Sequence, residues 1–260
     1  MRAAISQFFT GAGLLGRGLG LVMRQPRLFG LGVLPALISG LLYAAALVTL
    51  TVYIDDLARG VTWFADDWAD GWRDALQIFA GLAVLGVAGL LTVLTFTAVT
   101  LVIGDPFYEK ISELVEDRFG GVRDAVELVW WRSMGRSLVD GLRMVGLSIL
   151  LGIPLLLLGF IPVVGNIIGL ALGGAVGGWL LAVELTGVPF QRRGQRLRHR
   201  RAELRKQRPL AMGFGVAVFL TFLIPLGAVL LMPAAVAGGA LLSRKVLHQP
   251  TDIVTLPSSL

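Results

Sequence analysis

Guanidinium groups are the main chemical resource of this chain. Arg192, Arg193, Arg196, Arg198, Arg200, Arg201, Arg205, Lys206 and Arg208 crowd the stretch from Gln191 to Arg208. Arg2, Arg17, Arg24 and Arg27 stand near the N-terminus with no acid among them. Arginine holds oxyanions through forked, charge-assisted hydrogen bonds, but in runs that flank apolar segments it first reports topology and contact with anionic lipid, adding a general attraction for an anion. A smaller group, Glu113, Glu116 and Arg118, has helical spacing and can pair internally or across a subunit contact. Its readings are a structural ion pair, or a gating or anion-coordinating element. Glu184 is the one clear ionisable residue inside a long apolar stretch, either functional or at an interface near Pro189.

Other chemistries lack their residues. The chain has no cysteine, which removes disulfides, thiolate ligands and thiol nucleophiles. Its two histidines, His199 and His248, lie far apart and outside any metal-ligand spacing. No nucleophile–base pair or phosphate loop accompanies Glu184, so no enzymatic activity, metal or cofactor is expected. The net charge of +6 could indicate nucleic acid, but the arginine-rich run has no interleaved aromatics for base stacking. Membrane topology and contact with anionic lipid account for it more simply.

The elements that position these groups are membrane elements. Hydrophobic residues make up 55% of the chain, charged residues only 15%, and the mean hydropathy is +0.78. Soluble domains carry about 25% charged residues, so the fold expected is an all-α integral membrane protein. The first long apolar run is 28–54, with Pro35 near its start to kink it or mark a half-helix entrance. The second is 75–104, and about 20 apolar residues suffice to cross a bilayer. Between them Trp63, Trp68 and Trp72 alternate with aspartates, as in a short interfacial helix. Residues 1–24 read as an interfacial helix or, through Gly16 and Gly20, as a helix packed closely on the bundle. Residues 105–143 are polar with a helical pattern, and Trp130 and Trp131 return them to the interface.

Two later apolar units, 144–189 and 210–242, are broken by Pro154, Pro162, Pro225 and Pro233. Matched breaks of this kind point to discontinuous or re-entrant helices. The helix starts they create, near Gly165 and Asn166 and at Gly227, would leave N–H groups unpaired and attractive to an anion. Gly165, Gly169, Gly173 and Gly177, with Gly174 and Gly178 beside them, form helix-face stripes suited to close packing or to lining a path. Basic segments at the N-terminus, in 191–208 and at Arg244–Lys245 place all three on the cytoplasmic side, opposite the Trp/Asp loop. Each broken unit must then enter and leave on one side. The second is too short for two full spans, so a hairpin of two short halves that partly penetrates is expected.

Several blocks together resemble the CysZ-type sulfate permeases, grouped with the etoposide-induced protein 2.4 homologues. They are Gln25-Pro26 with Pro35; Asp105-Pro106-Phe107 followed by Ser112-Glu113-Leu114-Val115-Glu116-Asp117-Arg118; Phe160-Ile161-Pro162-Val163-Val164-Gly165; Trp179-Leu180-Leu181-Ala182 with Pro189-Phe190; Met212-Gly213-Phe214-Gly215; and Ile224-Pro225-Leu226 with Met232-Pro233-Ala234. The resemblance runs from about Gly18 to Leu242. It implies two long transmembrane helices plus two hemi-penetrating helical hairpins, a homo-oligomer in the bacterial inner membrane, and sulfate entry for assimilation. It also implies an anion site at the head of the first span, where the family carries one or two arginines. Here the segment reads Gln25-Pro26-Arg27-Leu28-Phe29-Gly30, and Phe29 and Gly30 stand where arginine is expected. Arg27, Leu28 and Gly30 are therefore the candidate substrate-binding residues, with Arg27 in a shifted position. The alternative is a non-transporting scaffold, or a transporter of another solute. One membrane domain is expected over residues 1–250, with a disordered tail from 251 to 260.

Overall fold

The computed structural model describes residues 2–122, 146, 150, 152–154, 164–224 and 226–251. Among them the protein is all-α: α1 (Arg2–Arg24), α2 (Pro26–Val52), α3 (Ile54–Val61), a 3-10 turn (Trp63–Ala65), α4 (Asp70–Arg118), α5 (Val164–Leu185), α6 (Gly187–Arg192), α7 (Leu197–Lys206), α8 (Arg208–Phe222) and α9 (Gly227–Val246). Three of these helices, α2, α4 and α9, are long and apolar enough to cross a membrane. The chain is an integral membrane protein, as its composition demands. Pro162, Trp130, Trp131, Pro225 and residues 252–260 lie outside the described residues.

The chain divides into two compact units, Val33–Asp105 and Met1–Gly32 with Pro106–Leu260. In the first, α2 runs unbroken through Pro35, so the half-helix entrance expected there is not formed. The ring sits in the third turn, where it removes one backbone hydrogen bond without ending the helix. α4 is likewise one helix of 49 residues that continues through Asp105 and Pro106, joining an apolar run and a polar run that read as separate in sequence. Tyr43 and Thr95 link α2 to α4, with their hydroxyl oxygens 2.6 Å apart. Most large side chains on both helices are exposed, including Leu41, Val48, Leu90 and Val93, as suits surfaces solvated by lipid. The aspartate-rich connection places Trp63, Phe64 and Trp68 in successive edge-to-face contacts. Trp63 and Trp72 are largely exposed, as interfacial anchors require.

The second unit is a glycine-knit bundle. α1 packs on α8 and α9 through one face, Gly11, Leu14, Gly18 and Val22. A Cβ on Gly11 would lie 2.0 Å from the Leu210 carbonyl oxygen, and one on Gly18 2.3 Å from that of Ala234. α1 is thus packed on the bundle, but through Gly11 and Gly18. Gly16 and Gly20, the residues expected to make that approach, face open space. α5 meets α8 where Gly178 and Gly215 touch backbone to backbone; a Cβ on Gly215 would fall 1.8 Å from the Gly178 carbonyl oxygen. Gly177 receives the Phe219 ring. Without a hydrophobic drive between helices in lipid, such close approach supplies the packing energy. At these positions the glycine stripe of α5 serves helix packing.

α8 and α9 form the last apolar unit, joined by a short turn with Leu226 in the left-handed region (φ 60°). Its halves are unequal. α8 has 15 residues, whereas α9 has 20 and runs through Pro233. α9 is thus longer than the short half expected of 210–242, because it continues past Leu242 to Val246. Unlike α2 and α4, most of its apolar window is buried within the protein: 78%, against 17% and 11%.

Candidate functional site: a buried arginine–glutamate cluster and the head of α2

The last turn of α4 carries a carboxylate into the protein interior. Glu116 is fully buried, with Ile111 and Val115 of the same helix and Phe119 just past its end also buried. A buried carboxylate needs charged partners. They come from α6 and the residue after it: Arg193 Nη1 lies 2.6 Å from Glu116 Oε1, and Arg192 Nη1 lies 3.5 Å from Oε2. Arg192 also reaches the Asp117 carboxylate at 3.3 Å. The short helix Gly187–Arg192 exists to make this turn inward: Pro189 and Phe190 are buried, and Gly194 takes a positive φ (68°) just after it. Arg193 is braced by the Pro189 carbonyl at 2.6 Å and the Gln249 side-chain oxygen at 2.6 Å.

Arg244, on α9, completes the cluster from another side. It donates to the carbonyls of Gly121 at 3.1 Å, Glu116 at 3.4 Å and Phe119, and through Nε to that of Pro250 at 2.8 Å. The carbonyls of Glu116, Phe119 and Gly121 lie at and just past the C-terminus of α4, where the helix dipole favours a cation; that of Glu116 also accepts from the Phe119 and Gly121 N–H groups. One acid buried among three guanidinium groups leaves a local excess of positive charge beside the end of α4.

The residues singled out from sequence fall in several places. Glu113 pairs with Lys110 one turn away at 2.7 Å. Arg118 is exposed; with the Gln25 amide turned to present its oxygen, that oxygen accepts from the Arg118 guanidinium, Nε at 3.3 Å. Glu113, Glu116 and Arg118 thus share a helix end but engage different partners. Arg27 is exposed in the first turn of α2, with no carboxylate partner among the described residues. Leu28 is buried at 1% exposure and anchors that turn, and a Cβ on Gly30 would meet nothing within 4 Å. Gly165 and Asn166 lie in the first turn of α5. Gly227 begins α9, but its N–H already donates to the Ile224 carbonyl at 2.8 Å, and its Cα hydrogen faces the Thr221 carbonyl. Glu184 is exposed at the penultimate position of α5.

Arg192, Arg193 and Arg244 are the residues that sequence reasoning placed only as topology-setting surface charges. The available signal was Glu116 itself, an acid on the helix face of Val115 and, one turn on, Phe119, which needs a cation from elsewhere in the chain.

Comparison with known proteins agrees with this architecture. Residues 14–233 match the family described as Sulfate transporter CysZ/Etoposide-induced protein 2.4. A protein named Sulfate transporter CysZ from Pseudomonas aeruginosa is 31% identical over 242 residues, covering 89% of this chain and 93% of that protein. One of the same name from Pseudomonas fluorescens is 32% identical over 173 residues, 65% of this chain and 69% of its own. Another from Salmonella typhimurium is 27% identical over 208 residues, 79% and 81% respectively. With a family match over most of its length, this helical membrane protein belongs to the Sulfate transporter CysZ/Etoposide-induced protein 2.4 family.

Proposed function

We propose that the protein carries sulfate across the bacterial inner membrane as a permease or channel, supplying sulfate for assimilation. The observation that carries this reading is the match, over 93% of its length, to a relative named Sulfate transporter CysZ. The residues support it. Arg27 stands exposed at the head of an apolar span, where a guanidinium attracts a tetrahedral dianion. Leu28 fixes its turn and Gly30 leaves room beside it. The Arg192, Arg193 and Arg244 cluster supplies a second concentration of positive charge, and Glu116 keeps its arginines from holding an anion too tightly to release. Glu113, Glu116 and Arg118 act as the gating element at the end of α4.

In this reading the chain is a single membrane domain over residues 1–250. N-terminus, 191–208 segment and C-terminus face the cytoplasm. The two Pro/Gly-broken units are hemi-penetrating hairpins, and the protein works as a homo-oligomer. Backbone N–H groups at Gly165 and Asn166 are secondary anion contacts; the Gly227 N–H, already bonded to the Ile224 carbonyl, is not among them. The test is equilibrium binding of radiolabelled sulfate to the purified protein. Binding that survives excess chloride and is lost in Arg27→Ala supports the site. Binding unchanged by that substitution moves it elsewhere.

A further inference from the structure

The N-terminal helix carries two sets of glycines with opposite fates. Gly11 and Gly18 are filled by α8 and α9, whereas Gly13, Gly16 and Gly20 have nothing within 4 Å of a Cβ position. Each helical glycine costs about 1 kcal/mol relative to alanine, and no packing among the described residues explains the second set. These three form the floor of an open cleft of about 680 Å³. Leu21, Phe119 and Leu241 add apolar wall, and Arg17, Arg24 and Arg118 stand at its edge, with no acid among the lining residues.

An apolar trough edged by arginines is a poor match for a free oxyanion. A small dianion needs polar contacts on several sides, and this cleft is large and mostly apolar. It fits an amphipathic anion. Its place along the chain points the same way: Arg24 and Gln25 directly precede α2, whose charge-free run begins at Leu28. Residues at the end of an apolar span sit at the level of lipid headgroups. Arg24 is exposed with no carboxylate partner among the described residues. Arg17 donates to the Thr251 carbonyl at 2.9 Å, at the cleft wall.

We infer that this cleft is a binding site for an anionic phospholipid, with an acyl chain over Gly13, Gly16 and Gly20 and the phosphate on the arginine edge. The site is independent of the sulfate reading and serves to fix α1 against the bilayer.

Native mass spectrometry of the purified protein with equal phosphatidylglycerol and phosphatidylcholine of the same acyl chains tests this. The wild type retains phosphatidylglycerol in preference by roughly tenfold, the scale of one or two charge-assisted hydrogen bonds. Arg24→Gln removes most of that preference, while Arg198→Gln on α7 leaves it. Gly16→Leu, whose Cβ meets nothing within 4 Å and whose side chain extends into the cleft, loses both lipids with thermal stability and subunit number unchanged. Equal retention of the two lipids by the wild type would overturn the proposal. So would a Gly16→Leu variant that changes subunit number without losing lipid, which would make the cleft a contact between copies. Arg24-dependent sulfate binding with no lipid retained would make it a small-anion site instead.

Discussion

Arg193 Nη1 and Glu116 Oε1 meet at 2.6 Å with the carboxylate wholly out of solvent, joining the end of α4 to the turn after α6 across 77 residues of sequence. Removing one partner of a buried pair leaves a desolvated charge and costs about 3–5 kcal/mol. Arg192 at 3.5 Å offers partial compensation, so Arg193→Ala should fall near the lower end, about 3 kcal/mol. The double variant Arg193→Ala/Glu116→Gln should recover part of that loss, because the buried carboxylate charge is then no longer left without Arg193. Unfolding in detergent measures both, and a single variant as stable as the wild type would contradict the assignment.

Arg244 should protect the end of α4. Its guanidinium serves the carbonyls of Glu116, Phe119 and Gly121, so Arg244→Ala removes three hydrogen bonds at once, leaving the Glu116 carbonyl with the Phe119 and Gly121 N–H groups. Amide exchange at residues 117–122 is expected to rise well above that of α8. Unchanged exchange would mean the helix end is held by other contacts.

Glycine crossings give a matched pair of stability predictions. Gly215→Ala drives a methyl to 1.8 Å from the Gly178 carbonyl oxygen, whereas Gly173→Ala meets nothing within 4 Å. The first should cost about 1–3 kcal/mol or more, and the second should be neutral to slightly stabilising. Equal thermal midpoints for the two variants would refute the α5–α8 contact.

Gly30→Arg adds back an arginine at a position where this chain departs from the family pattern. A Cβ at Gly30 meets nothing within 4 Å, so the side chain starts out into open space. A second guanidinium beside Arg27 should raise sulfate affinity roughly tenfold, read by equilibrium binding. No gain, with the fold intact, would argue that the head of α2 is not where the anion binds.

The absence of cysteine makes topology directly measurable. Arg198→Cys and Asp66→Cys should react with impermeant maleimide from opposite faces of oriented membranes, Arg198→Cys from the cytoplasmic one. Labelling of both from the same face would overturn the orientation drawn from charge.

The helices were largely legible, because uninterrupted apolar runs and glycine spacing act locally. α2 and α4 follow from the charge-free stretches after Arg27 and after Asp74. Their true extents did not follow: prolines 35 and 106 look like stops, yet each helix continues through its proline. The anion site proposed at the head of α2 rests on the family resemblance, with Phe29 and Gly30 where arginine is expected. The Glu116 cluster was not, because Arg193 and Arg244 reach it through tertiary folding alone. A dense arginine run carries no mark of which members turn inward.

The most direct test is uptake of radiolabelled sulfate into proteoliposomes containing the purified protein, alongside Arg27→Ala. Saturable uptake above empty liposomes, reduced at least about tenfold in the variant, is the predicted result. No uptake by protein shown to be folded would contradict sulfate transport and favour a scaffold role or another solute.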